Sequence, residues 1–235
     1  MTTQTDERSP LFYSRLAGFL YLLVVPLGIF SLSVSSGLLV AEDSAATANN
    51  IMASEMIFRL SIVSELLATL VMLFVVLALY RLLKPVNKGM ASIMAILVMV
   101  AVPIAILTTL NEFAILQLLS GAEYLAAFTT EQLQALTLLF LHLHTQGGSI
   151  AFIFWGLWLF PLGYLVFKSG FFPRILGVLL MLACCGYLID SFASFLGYSV
   201  NLGLFAAVGE VLFILWLLIK GVDTEQWRKR ALASA

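Results

Sequence analysis

Six times along its 235 residues the chain runs apolar for about the length of a bilayer crossing, and this recurrence constrains the fold more than any other feature. A helix needs about 20 mainly apolar residues to traverse the hydrocarbon layer. The qualifying stretches are about 16–38, 57–80, 91–117, 149–167, 174–196 and 201–220. Pro26 and Gly28 mark a kink in the first, and Pro103 sits at the centre of the third. The fold class that follows is all-α: a polytopic transmembrane helical bundle of six spans forming a single domain over residues 1–235, with no clear internal repeat.

Composition closes off the soluble alternative. The hydrophobic fraction is 62%, the charged fraction 11% and the mean hydropathy +1.06. Soluble domains are about 45–50% apolar and about 25% charged, and no soluble core of this length hides so much apolar surface. Lipid is therefore the solvent and the first partner. A net charge of −1 carries no nucleic-acid-binding signature, and no nucleic-acid partner is expected. Cys184 and Cys185 are adjacent in an apolar run, point apart on a helix and define no disulfide framework. The first apolar run is too long for a signal-peptide core and lacks a cleavage-like exit, so it reads as a retained span.

Two segments fall between the spans. Residues 44–56 read as a short helix feeding the second span without a break. Residues 130–146 read as an extra interfacial or partly inserted helix ahead of the fourth span, continuous with it across a bend at Gly147-Gly148, or else as a re-entrant piece.

Charge placement gives an orientation. With the N-terminus inside, the inner segments carry Arg8, Arg15, Arg81, Lys84, Lys88, Lys168, Arg174, Lys220, Arg228, Lys229 and Arg230, and Arg59 alone falls outside. The outer connections carry Glu42, Asp43, Glu55, Glu123 and Glu131. This positive-inside bias places both termini in the cytoplasm, and the expected location is the bacterial cytoplasmic membrane. Trp227-Arg228-Lys229-Arg230 reads as an interfacial anchor.

Ionisable groups at membrane depth are costly and face a bundle interior or wet cavity. They are Glu65, Asn111 beside Glu112, Asp190 and Glu210, with His142 and His144 leading into the fourth span. Glu210 is deepest, and the others concentrate in the outer half. Ser61 and Glu65 share a helical face, as do Thr108 and Glu112, while the two histidines point to nearly opposite faces. Glu55 and Arg59 are an i,i+4 pair suited to a local salt bridge. Carboxylates with a histidine suit proton carriage or cation binding, and also a zinc site with an open position for water. No H-E-x-x-H pair, G-x-S-x-G elbow or phosphate-cradling glycine loop is present.

The segments TANNIMASEMIFR (47–59), LALYRLLKPVNKGMA (77–91), the H-x-x-G of His144 to Gly147, FKSGFFPRILG (167–177), GYLIDSF (186–192) and LWLLIKGV (215–222) occur in that order. Together they resemble the bacterial integral-membrane family called domain of unknown function 4386, over nearly the whole chain. The resemblance implies a compact multi-pass membrane protein and no particular activity. It draws notice to Asn50, Glu55, Arg59, His144 and Asp190, which fall inside the family-like segments. KSGFFPRILG also has a purely structural reading, as a tight inner hairpin with Pro173 opening the fifth span.

The functional expectation is a polar pocket in the outer half of the bundle. It would bind or pass a small or amphipathic ligand, an ion or a proton, using Arg59, Glu65, Asn111, Glu112, His144 and Asp190. No cofactor is expected under this reading. A first alternative is an intramembrane lipid hydrolase holding zinc through His144, Glu65 and Asp190. A second is a structural or partner-binding protein in which the polar groups pair off between helices.

Overall fold

The structure, a computed structural model, describes residues 9–198 and 200–233, with the backbone alone at 204 and 205. Arg8, counted above among the inner charges, lies outside the described residues. The fold is all-α, and among the described residues there is no strand. Its helices are α1 (Pro10–Leu38), α2 (Ser44–Ala53), α3 (Glu55–Leu83), α4 (Lys88–Thr108), α5 (Leu110–Leu118), α6 (Thr130–Leu157), α7 (Leu159–Ser169), α8 (Arg174–Phe195), α9 (Gly203–Ile219) and α10 (Thr224–Ala233). A short 3-10 turn covers Glu123–Ala127.

Among the described residues, five helical stretches are long and apolar enough to cross a membrane: Pro10–Leu38, Glu55–Leu83, Lys88–Leu118, Thr130–Ser169 and Arg174–Phe195. A shorter apolar helix follows in α9, whose 17 residues rise about 26 Å. Large apolar side chains such as Phe19, Ile29, Leu32, Phe74, Met99 and Leu107 stand exposed on these helices. A soluble fold could not leave so many outside, and the chain is a membrane protein.

The helices break where local chemistry demands it. Pro161 lacks an N–H and its ring crowds the carbonyl of Leu157, and the helix lapses at Trp158, between α6 and α7. Residues 130–157 form one helix straight through Gly147-Gly148, so the 130–146 segment is the start of α6 and not a separate element. Residues 44–56 divide into α2 and the first residues of α3, with Ser54 between them.

The chain divides into two compact units, and four of the helices contribute to both. Unit 1 comprises Met1–Leu22, Val71–Ala101 and Phe152–Ala235. Within it α7 and α8 approach closely: a Cβ added to Gly177 would meet the Gly163 carbonyl oxygen and the Phe167 nitrogen, each at 2.6 Å. The turn between them closes on Gly170 at φ +80°, a left-handed position that favours glycine. Helix α10 is tied in by Trp227 Nε1, which donates to Leu82 O at 2.8 Å, and by Arg230, which donates to Lys168 O at 2.7 Å.

Unit 2 comprises Leu23–Leu70 and Val102–Ala151. Its core gathers Ile51, Phe58, Ile62, Ile115, Leu116 and Leu141. The α1–α2 connection is held by side chains: Asn50 Nδ2 donates to Leu38 O (3.3 Å), Thr47 Oγ1 accepts from Val40 N (3.0 Å), and Asp43 caps α2 through Ala46 N (2.8 Å).

The glycine contacts define a test. Gly177→Ala, whose new methyl meets two backbone atoms of α7, should destabilise the folded protein by about 1–3 kcal/mol. Gly148→Ala, with nothing within 4 Å of its Cβ, should be neutral or stabilising by up to about 1 kcal/mol. Unfolding in graded SDS reads both, and equal costs at the two positions would contradict this packing.

A candidate site of two glutamates and a histidine in unit 2

The site begins with an irregularity in backbone hydrogen bonding. Between α4 and α5, the Thr108 and Thr109 hydroxyls both bond back to Ala105 O, at 2.7 and 3.1 Å. The Glu112 N–H turns to Thr109 O at 3.1 Å, one residue short of its α-helical partner. The Thr108 carbonyl is thereby released. Asn111 Nδ2 donates to it at 2.9 Å, and His144 Nδ1 lies 3.3 Å from it.

His144 reaches that carbonyl because α6 runs very close to α4. Gly147, one turn beyond His144 on the same face, packs on Thr108 so tightly that an added Cβ would lie 2.3 Å from Thr108 Cγ2. This gives the H-x-x-G pair a physical meaning: the glycine permits the approach and the histidine uses it.

On its other edge the imidazole faces two carboxylates. His144 Nε2 is 3.5 Å from Glu65 Oε2 on α3 and 3.9 Å from Glu112 Oε1 on α5. Ser31 Oγ on α1 donates to Glu65 Oε2 at 3.3 Å, and Ser35 Oγ, one turn along, donates to Glu112 Oε1 at 3.4 Å. Glu112 has no exposed surface, and its second oxygen, Oε2, is buried without a hydrogen-bond partner. One ligand atom from each of Glu65, Glu112 and His144 lies within 4.8 Å of the others.

An oxygen with several lone pairs and no donor, buried beside a second carboxylate, is expensive. A shared proton or a cation removes that cost, and the arrangement is chemically suited to hold either.

The remaining expected residues have partners of their own. Arg59 pairs with Glu55 at 2.7 Å, with both side chains more than half exposed, as a local i,i+4 bridge. Asn111 sits beside the trio through the Thr108 carbonyl. Asp190 belongs to unit 1, where its two oxygens accept from Leu202 N (2.9 Å) and Gly203 N (2.6 Å) and so cap α9. The three groups that meet in unit 2 are Glu65, Glu112 and His144. Glu210, also in unit 1, accepts a hydrogen bond from the Tyr21 hydroxyl, and the Tyr21 ring lies 5.9 Å from that of Trp158. His142 is exposed.

Sequence reasoning passed over Ser31 and Ser35, having drawn no site residue from the first span. The signal was present as serines four apart within SLSVSS, residues 31–36.

Residues 16–221 match the family described as Domain of unknown function (DUF4386). A protein of Archaeoglobus fulgidus described as uncharacterized is 36% identical over 163 residues, covering 68% of this chain and 83% of its own length. No solved structure matches. The chain belongs to the DUF4386 family.

The α4–α6 contact predicts a compensating pair. Gly147→Ala should destabilise by about 1–3 kcal/mol, and adding Thr108→Ser, which removes the methyl met at 2.3 Å while keeping the hydroxyl, should restore much of it. Unfolding of the single and double variants in detergent measures the recovery; strictly additive effects would show that the two residues do not press on each other.

Proposed function

We propose that this membrane protein holds a small cationic occupant, a metal ion or a proton, between Glu65, Glu112 and His144, and that binding or passing it is the protein's activity. The observation that carries this reading is the fully buried Glu112, whose Oε2 has no donor while its Oε1 faces His144. A pair of acidic side chains kept only as packing glue between helices would be expected to end in donors.

Orientation enters on the same terms. Among the described residues, every lysine and arginine except Arg59 falls in the segments read as inner, whereas Glu42, Asp43, Glu55, Glu123 and Glu131 fall in the connections read as outer. That bias supports both termini facing the cytoplasm, α9 counted as a sixth span, and the trio in the outer half of the bundle. Residence in a bacterial cytoplasmic membrane belongs to the same proposal, and the charged α10, anchored by Trp227, fits its inner surface.

The reading predicts a coupled response of stability and occupancy. Purified wild-type protein should either take up protons through the trio, read with a pH dye, or gain stability with a particular cation. A ligand at a hundred times its Kd stabilises by about 2.7 kcal/mol. Glu112→Gln and His144→Ala should abolish the response, while Glu123→Gln, on the exposed turn, should retain it. If wild type and both trio variants behave alike towards protons and every cation, the proposal is wrong.

A further inference from the structure

The distances within the trio discriminate between its possible occupants. A histidinium donating directly to a carboxylate settles at about 2.7–2.9 Å. The separations of 3.5 and 3.9 Å are too long for that bond. They are close to the edge of a tetrahedral metal site. With metal–nitrogen and metal–oxygen bonds of about 2.0–2.1 Å, ligand atoms stand about 3.3–3.4 Å apart; the two carboxylates lie within 4.8 Å of each other, so side-chain movement that draws the three groups together would complete one.

The histidine is also set in the right form. A carbonyl oxygen only accepts, so the contact between His144 Nδ1 and Thr108 O requires the proton on Nδ1. In the neutral ring that leaves the Nε2 lone pair directed at Glu65 and Glu112. A ligand histidine whose other ring nitrogen donates to a backbone carbonyl is the usual way a tautomer is fixed for metal binding. The Ser31 and Ser35 hydroxyls donate to the same carboxylate oxygens that face the imidazole, Glu65 Oε2 and Glu112 Oε1, and so hold them in orientation. The unpartnered Glu112 Oε2 supplies further ligand capacity from a side chain with no exposed surface.

We propose that Glu65, Glu112 and Nε2 of His144 are the three protein ligands of a divalent transition-metal ion of the zinc type. This rests on the cation-or-proton reading above and names the occupant. One nitrogen and two carboxylates suit zinc and its first-row neighbours. Sodium, magnesium and calcium prefer oxygen cages of higher coordination number. Three protein ligands leave a fourth position for water or a small ligand. Glu65 and His144 keep partial exposure, 24% and 14% of their side chains, whereas Glu112 has none.

The test uses the full-length protein in detergent, with any polyhistidine tag removed and resident metal stripped by chelator. Titration with zinc chloride alone, followed by calorimetry and by metal analysis after desalting, should show one zinc per chain. His144→Ala and Glu112→Gln should weaken binding at least tenfold, and His142→Ala, exposed two residues away, should not. X-ray absorption of the zinc form should show a nitrogen/oxygen shell with one imidazole, which is independent of whether any variant folds. Substoichiometric zinc, binding that survives in both trio variants, or a spectrum without imidazole would overturn the metal assignment. If zinc fails while proton uptake still depends on Glu112 and His144, the metal assignment falls and the broader reading stands. If both responses are missing, both fall.

Discussion

Hydrocarbon offers no partner to a peptide N–H or carbonyl, so every backbone group in a spanning segment must be satisfied from within the protein. Uninterrupted helix answers this over most of the chain, and the informative places are those where the ladder lapses. There side chains take over. Asp190 accepts the first amides of α9, Asn50 donates to the Leu38 carbonyl, and the Thr108 and Thr109 hydroxyls turn back on Ala105. The same accounting that makes the chain helical also releases the Thr108 carbonyl, to which His144 docks.

Close helix approach is the second ingredient. Helices in lipid gain little from burying apolar surface against one another, and contact depends on small residues that let backbones near. Gly163 with Gly177 does this for α7 and α8 in unit 1, and Gly147 with Thr108 does it for α6 and α4 in unit 2. The first contact is structural throughout. The second brings an imidazole and a carboxylate from different helices within 3.9 Å, so packing and chemistry there share one cause.

Two of the carboxylates noted from the sequence have different fates. Asp190 meets two amides and is fully used in holding α9, which accounts for an acid at that depth without any ligand. Glu112 meets a single serine hydroxyl and keeps an oxygen unpartnered. Both look alike in a sequence, as an acid in an apolar run. The difference in hydrogen-bond satisfaction separates a cap from a candidate site, while Arg59 is engaged in its exposed bridge to Glu55.

The sequence by itself determined that the chain is an all-α membrane protein of the DUF4386 family and which few polar residues sit within its apolar runs. Apolar run length and the cost of burying charge are local properties, readable residue by residue. It could not determine that Glu65, Glu112 and His144 meet, that Ser31 and Ser35 of the first helix serve them, or that Asp190 caps α9. Those facts depend on the rotation and closeness of helices far apart in the chain. The close packing of Gly147 on Thr108, which leaves no room for a Cβ, and a one-residue shift in hydrogen bonding at Glu112 bring the trio together, and neither has a periodicity or composition to announce it.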